Sequence, residues 1–245
     1  MTLVKFCGAV TRQEVRELAG AGADLVGLWH GVPGGRAELP RDRLAGLAAA
    51  ARDSGPAPVL VTFSADRDEL TAVLAATGIR WIQLHGHQPP ALVRALKRHG
   101  PPDLTVVKVL HLRGGGCLES GLLSAYERTG ADVFLLDSAT ADGALGSTGR
   151  PLDAVAATAL ADRLTRPFLL AGGLDAENAP AYASLTAHPR FLGVDVDSAA
   201  RGPSGRLDGA RARAVREAWT AAALSPAPAG TARAPHTCPP PPTPR

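Results

Sequence analysis

The sequence predicts a closed barrel of eight parallel strands, each followed by a helix. Short apolar runs alternate with longer helical stretches through most of the 245 residues. Continuous apolar strands are typical of a parallel sheet that is covered on both faces. Eight strand–helix units in a chain of this length suit a (β/α)8 TIM barrel. An open doubly wound sheet is the alternative, but no Gly-x-Gly-x-x-Gly motif follows the first strand, which disfavours it.

The predicted elements alternate along the chain. Thr11 and Glu14 form a Thr-x-x-Glu capping box, so the first helix begins shortly after the first strand. Pro89 and Pro90 mark the start of the helix after the fourth strand. The runs predicted as strands are 3–6, 24–29, 58–63, 81–84, 104–110, 133–136, 168–171 and 191–196. Further helices are predicted at about 41–52, 66–77, 120–128, 152–164, 176–185 and 207–223.

The C-terminal residues 225–245 have a different composition from the rest. Proline and alanine alternate there and end in the run Pro239 to Pro242. Such a segment has too little apolar surface to fold, so we expect a disordered tail after a catalytic domain of residues 1–224. Docking of this proline-rich tail on a recognition module is the alternative.

Composition excludes several classes of function. The net charge is only +3, and the basic residues are scattered among acidic ones. The sequence therefore gives no support to nucleic-acid binding. Three cysteines without metal-ligand spacing predict a reduced, cytoplasmic protein with no metal site. The first strand begins almost at Met1, which leaves no room for a signal peptide, and no apolar run is long enough to span a membrane.

Two chemically capable residues stand where predicted strands end. Cys7 closes the first strand before the capped helix, and Asp137 closes the sixth. In a parallel barrel the catalytic residues lie at the carboxyl edge of the strands. For Cys7, a helix N-terminus can lower the pKa of the thiol. For Asp137, partial desolvation raises the pKa of the carboxylate and suits it to act as a general acid. The structural alternatives are a cysteine that fills space and an aspartate that caps its own loop. His30 and His87 are interpreted as polar surface residues.

Candidates for anion binding lie in the loops beyond the strands. Arg36 closes a glycine-rich loop after the second strand, where its guanidinium could hold a carboxylate through two hydrogen bonds. A solvated loop arginine is the alternative. Exposed backbone N–H groups after strands seven and eight are the usual phosphate site of this barrel. The chain has three glycine clusters in its loops, Gly146-Ser147-Thr148-Gly149, Gly172-Gly173 and the loop 198–205. The alternative is that these glycines only form turns.

Several short motifs occur in one order along the chain. They are Lys5-Phe6-Cys7-Gly8 with Thr11-Arg12, Gly22-Ala23-Asp24 with Gly27, Arg36, Gln83-Leu84-His85-Gly86, Leu136-Asp137, Gly146-Ser147-Thr148-Gly149, Ala171-Gly172-Gly173-Leu174 and Gly193-Val194-Asp195-Val196. That order resembles phosphoribosylanthranilate isomerase of tryptophan biosynthesis. The resemblance extends over about residues 3–222, and the motifs of strands one, four and seven together are specific to that family.

The resemblance implies an Amadori rearrangement of a small-molecule substrate that needs neither metal nor cofactor. Asp137 would protonate the ring oxygen of the aminoglycoside, and Cys7 would remove the proton from C2. Arg36 would hold the anthranilate carboxylate. The other implied contacts are Gln83, His85 and Asp195 with the substrate, and Gly149, Gly172, Gly173, Asp197 and Ser198 with its phosphate.

The loop after the eighth strand departs from the family pattern. Asp-Val-Ser-Ser-Gly-Val-Glu is replaced by Asp-Val-Asp-Ser-Ala-Ala-Arg, so Asp197 would repel a bound phosphate unless it is paired. Arg201 could restore positive charge. The first hypothesis is the tryptophan-pathway isomerase with a divergent phosphate loop. The alternatives are a paralogue in specialised metabolism acting on a related, even unphosphorylated, glycosyl arylamine, and a non-catalytic barrel with a partner-binding tail. Retention of Cys7 and Asp137 argues against the last.

Overall fold

A closed barrel of eight parallel strands forms the centre of the molecule. The computed structural model describes residues 2–139 and 151–225. The strands lie in the order β4-β3-β2-β1-β8-β7-β6-β5, and β4 pairs with β5 to close the barrel. Their bounds are β1 Leu3–Cys7, β2 Leu25–Trp29, β3 Ala57–Thr62, β4 Trp81–Leu84, β5 Thr105–Arg113, β6 Val133–Ser138, β7 Phe168–Leu170 and β8 Phe191–Val196. The predicted fold class is confirmed.

Helices cover the outside of the barrel. The capping box predicted for α1 is present, because the Thr11 side chain accepts from the Glu14 N–H while the Glu14 carboxylate accepts from the Thr11 N–H. The side chains of Asp66, Asp153 and Asp208 cap the N-termini of α3, α6 and α8 by accepting hydrogen bonds from N–H groups of the first turn. The helices are α1 Arg12–Gly20, α2 Arg41–Ser54, α3 Arg67–Thr77, α4 Pro90–His99, α5 Leu123–Thr129, α6 Ala154–Ala161, α7 Ala183–Thr186 and α8 Gly209–Leu224.

The sheet has two buried faces of different character. The outer face packs against the helices and forms the main apolar core. The inner face fills the barrel with branched residues of β5 to β7, among them Val107, Val109 and Leu135. On β1 and β8 the inner face carries the charged pair Lys5 and Asp195 instead. The polar inward positions therefore concentrate toward the carboxyl edge.

Several predicted boundaries differ from the structure. The fifth strand continues to Arg113 and pairs with a two-residue antiparallel strand, Gly116–Cys117, where a plain loop was predicted. The helix predicted at 120–128 begins with a 3₁₀ turn, Ser120–Leu122. The helix predicted at 176–185 is wrong: a 3₁₀ turn, Ala179–Tyr182, is followed by a single α-helical turn. Asp175 accepts hydrogen bonds from the N–H groups two and three residues on, which fixes a turn in place of the first helical residues.

Two predicted features lie outside the described residues. One is the loop that contains Gly149, predicted to contact phosphate, and the other is the proline-rich tail beyond Ser225. Within 2–139 and 151–225, no helix has the length and hydropathy needed to cross a membrane.

Candidate active site

A cavity of about 820 Å³ opens at the carboxyl edge of the strands. Because the strands are parallel, residues that end different strands converge there. Most of the residues predicted from the sequence line it: Cys7, Arg36, His85, Asp137, Gly172, Gly173, Asp195, Asp197 and Ser198. The predicted acid, Asp137 on β6, and the predicted base, Cys7 on β1, therefore face the same cavity. The strands β7 and β8 lie between β6 and β1.

Cys7 ends β1 with its side chain turned into the barrel. Two N–H donors contact its sulfur: Lys5 Nζ at 3.3 Å and Trp29 Nε1 at 3.1 Å. Gly27, on the neighbouring strand, provides the space, since a Cβ atom there would lie 2.7 Å from the Cys7 sulfur. The absence of a side chain at Gly27 thus leaves space for the thiol, and the two N–H donors favour its thiolate form.

The predicted effect of the helix N-terminus on Cys7 is wrong. Burial raises the pKa of the Cys7 thiol to about 12, and the positive charge of Lys5 only partly offsets this. Helix α1 begins at Arg12 on the outside of the barrel, whereas the thiol faces inward and is nearly inaccessible. At neutral pH Cys7 is therefore a thiol, and it needs further stabilisation to act as a base.

A buried ion pair lies directly beneath the thiol. Lys5 Nζ donates to Asp195 Oδ2 at 2.6 Å, and both side chains are almost wholly buried. The pKa of Lys5 stays raised despite burial because Asp195 and Cys7 lie beside it, while burial raises the pKa of Asp195. Asp195 also lines the cavity, and its second oxygen is buried without a hydrogen-bond partner among the described residues.

Asp137 ends β6 on another side of the cavity. One oxygen of its carboxylate accepts from the Ser138 N–H at 2.8 Å, and the other lies 3.4 Å from His85 Nε2. Gly172 leaves room for this arrangement, because a Cβ atom there would come within 3.1 Å of the carboxylate. The carboxyl group is therefore buried and oriented by two contacts.

Gln83 occupies a different place from the one predicted. Its amide nitrogen lies 2.9 Å from His85 Nδ1, and the side chain is completely buried. Among the described residues that line the cavity, His85 is present and Gln83 is absent. Gln83 therefore orients His85, with Nε2 turned toward Asp137, and does not itself face the cavity.

The predicted anion-binding end contains a group of opposite charges. Arg36 and Arg201 both form ion pairs with Asp197, the latter at 2.7 Å. The Arg201 guanidinium also donates to the carbonyls of Cys7 and Gly8, at 3.2 and 3.0 Å. The carboxylate that seemed repulsive in the sequence is thus paired twice, and Arg201 joins the β8 loop to the end of β1.

Sequence reasoning missed the contacts of three residues of this site, although it expected Arg201 to restore positive charge near Asp197. Lys5 and Trp29 contact the thiol, and Arg201 contacts Asp197 and the Cys7 carbonyl. Lys5 could have been found, because it lies two positions before Cys7 in an apolar strand and therefore shares its face. The other two contacts join distant segments and leave no local signal.

Comparison with known proteins agrees with this geometry. Residues 4–211 match the family model described as N-(5'-phosphoribosyl)anthranilate (PRA) isomerase. The chain belongs to the phosphoribosylanthranilate isomerase family. The match includes Cys7, Asp137 and the divergent loop at Asp197.

Relatives within the phosphoribosylanthranilate isomerase family cover most of the chain. The proteins of that name from Rhodopseudomonas palustris and Halobacterium salinarum are each 34% identical, over 84% and 85% of this chain and 92% and 91% of their own. The solved isomerase from Thermotoga maritima superposes with a TM-score of 0.73 at 22% identity, covering 90% of this chain and 100% of that one. A structure with reduced 1-(o-carboxyphenylamino)-1-deoxyribulose 5-phosphate has a TM-score of 0.70 at 21% identity over the same shares.

Proposed function

We propose that this protein isomerises N-(5'-phosphoribosyl)anthranilate to 1-(2-carboxyphenylamino)-1-deoxyribulose 5-phosphate, without a cofactor, in tryptophan biosynthesis. The observation that carries the proposal is that Cys7 and Asp137 face one cavity from different strands. An aldose–ketose rearrangement needs one acid at the ring oxygen and one base at C2. Family membership supports the same reaction, and the relatives do not favour the paralogue or the non-catalytic alternative.

Asp137 acts first, as the general acid. Its carboxyl group protonates the furanose ring oxygen, the C1–O bond breaks, and the anthranilate nitrogen forms a Schiff base with C1. His85 and the Ser138 N–H hold the carboxyl group in one orientation. A residue of this kind contributes about 10²–10⁴-fold to rate.

Cys7 acts second, as the base that removes the C2 proton. The resulting enolamine tautomerises to the ketone, with the enol proton lost from O2 and a proton gained at C1. The thiolate forms against a raised pKa, so its stabilisation by Lys5 and Trp29 is part of the catalytic step. The positive charge of the Schiff base further favours proton removal.

The substrate is held at its two anionic ends. Arg36 binds the anthranilate carboxylate, which replaces the Asp197 carboxylate as its partner. The backbone of Gly172 and Gly173 and the loop that begins at Ser198 bind the phosphate. Asp195 approaches the sugar from the cavity wall. Binding thus exchanges one carboxylate for another at Arg36.

Steady-state turnover of N-(5'-phosphoribosyl)anthranilate tests the proposal. We expect Cys7→Ala and Asp137→Ala to abolish measurable turnover while remaining folded. Cys117→Ala is the matched control, because Cys117 is a free cysteine outside the described lining of the cavity. Absence of turnover by the folded wild-type protein would contradict the proposal, as would activity retained in either active-site variant.

A further inference from the structure

A cluster of side chains that could ligate a metal ion lies beside the active site. It consists of His87 from the loop after β4, His111 from β5 and Glu119 from the turn after the β5 hairpin. One potential ligand atom from each lies within 4.8 Å of the other two. Separate segments supply the three residues, so their spacing in the sequence gives no sign of the cluster.

The distances within the cluster approach those of a tetrahedral site. His87 Nδ1 lies 3.3 Å from Glu119 Oε1, and His111 Nδ1 lies 2.7 Å from the same oxygen. Zinc bonds of about 2.0–2.1 Å to nitrogen and oxygen separate neighbouring ligand atoms by about 3.3–3.4 Å. The His111–Glu119 contact has to lengthen by about 0.6–0.7 Å to reach that separation.

The surroundings of the cluster fit an enclosed site with one open side. His111 and Glu119 are buried, whereas the His87 side chain is 60% exposed and gives access from solvent. The His111 N–H donates to Glu119 Oε2 at 2.8 Å, which fixes the carboxylate. The Cys117 thiol donates to that oxygen at 3.7 Å. The Lys108 ammonium donates to the carbonyls of Gly86 and Val109, and it is close enough to Glu119 and His111 to interact electrostatically with both.

One ring nitrogen of the cluster is buried without a partner in the part of the chain that the structure describes. His111 Nε2 is buried and has no hydrogen-bond partner among the described residues. A buried imidazole nitrogen without a partner is costly, since neither water nor protein compensates its lost hydration. The nitrogen that faces Glu119 is Nδ1, so Nδ1 and not Nε2 is the atom placed to ligate a cation there.

We propose that His87, His111 and Glu119 form a site for a first-row divalent cation of the zinc type, with a fourth position open to solvent. Imidazole and carboxylate are ligands that zinc takes in four-coordinate sites. The bound cation would join the β4 loop to the β5 hairpin. The His111 ring lies 5.9 Å from that of His85, which contacts Asp137, so the site adjoins the active site without sharing a ligand with it.

Titration of chelator-treated full-length protein with Co²⁺ tests this site. Wild type is expected to bind one Co²⁺ per chain with the intense visible absorption of tetrahedral coordination. The exposed ligand variant His87→Ala is expected to bind at least roughly tenfold more weakly. His99→Ala, which alters an exposed histidine outside the cluster, is the matched control and should bind like wild type.

Each outcome of the titration decides the proposal. Loss of the tetrahedral spectrum in His87→Ala but not in His99→Ala supports it. Equal binding by the two histidine variants would overturn the site, because the Co²⁺ would then be bound elsewhere. His236 and Cys238 of the tail, which both variants retain, are adventitious ligands of that kind. Failure of wild type to bind Co²⁺, or an octahedral spectrum, would also overturn it.

Discussion

The two ends of the cavity are built in different ways. The acid–base end lies on strands: Cys7, Lys5 and Asp137 occupy inward positions of β1 and β6 that the barrel registers hold fixed. The anion end lies on loops, where Arg36, Asp197 and Arg201 pair with one another. The acid–base end matches the family motif, whereas the anion end departs from it. The reacting groups are thus held by strand register, whereas the binding loop holds its charges by pairing them with one another.

The largest expected effect is at the acid–base end. Asp137→Asn removes the proton donor and keeps the shape, so we expect kcat to fall by about 10²–10⁴-fold. Thermal unfolding should change little, because the amide retains contacts to Ser138 and His85. The kcat from product formation and the melting temperature check this together. A fall of less than tenfold would show that another group is the acid.

Breaking the Lys5–Asp195 pair should mainly affect stability. Lys5→Met leaves Asp195 charged and buried, which costs about 3–5 kcal/mol of unfolding free energy. It also removes the charge that lowers the Cys7 pKa, so activity should fall as well. Chemical denaturation gives the free energy. In the control variant Lys5→Met/Asp195→Leu, stability should largely return while activity does not; return of both would show that the pair has no catalytic role.

The raised Cys7 pKa can be measured through alkylation. Since the thiolate reacts and its pKa is about 12, the thiolate fraction at pH 7–9 lies far below saturation and rises by about tenfold per pH unit. Iodoacetamide labelling of Cys7, followed by peptide mass spectrometry, should show that rise. Cys117, with a pKa of about 11, is the internal reference and should react faster. A labelling rate that levels off below pH 8 would place the Cys7 pKa near neutrality.

The anion end should give the smallest effects. In Asp197→Asn the carboxylate that competes for Arg36 becomes neutral, so we expect KM for the phosphorylated substrate to fall several-fold with kcat little changed. Stability should fall by about 1–2 kcal/mol, because the mostly buried Arg201 loses its charged partner. Kinetics and thermal unfolding check the two effects. Asp162→Asn, far from the cavity, is the control; a raised KM in Asp197→Asn would show instead that Asp197 assists binding.

The sequence predicted the barrel and most of the acid–base end, because both depend on local patterns. Apolar periodicity located the strands, and the parallel arrangement then placed Cys7 and Asp137 at one edge. Prediction from the sequence failed where the outcome depends on contacts between distant segments. Burial reversed the expected pKa change of Cys7, and the pairing of Asp197 with Arg36 and Arg201 joins two loops. The metal-ligating cluster was missed for the same reason.

The most direct test compares kcat/KM of the wild-type protein for N-(5'-phosphoribosyl)anthranilate and for its dephosphorylated riboside. If internal pairing leaves the anion end able to bind phosphate, the phosphorylated compound should be preferred by at least about a hundredfold, equivalent to two charge-assisted hydrogen bonds. Equal turnover of the two compounds, or preference for the riboside, would contradict the account. It would show that Asp197 has removed phosphate recognition from an otherwise intact acid–base site.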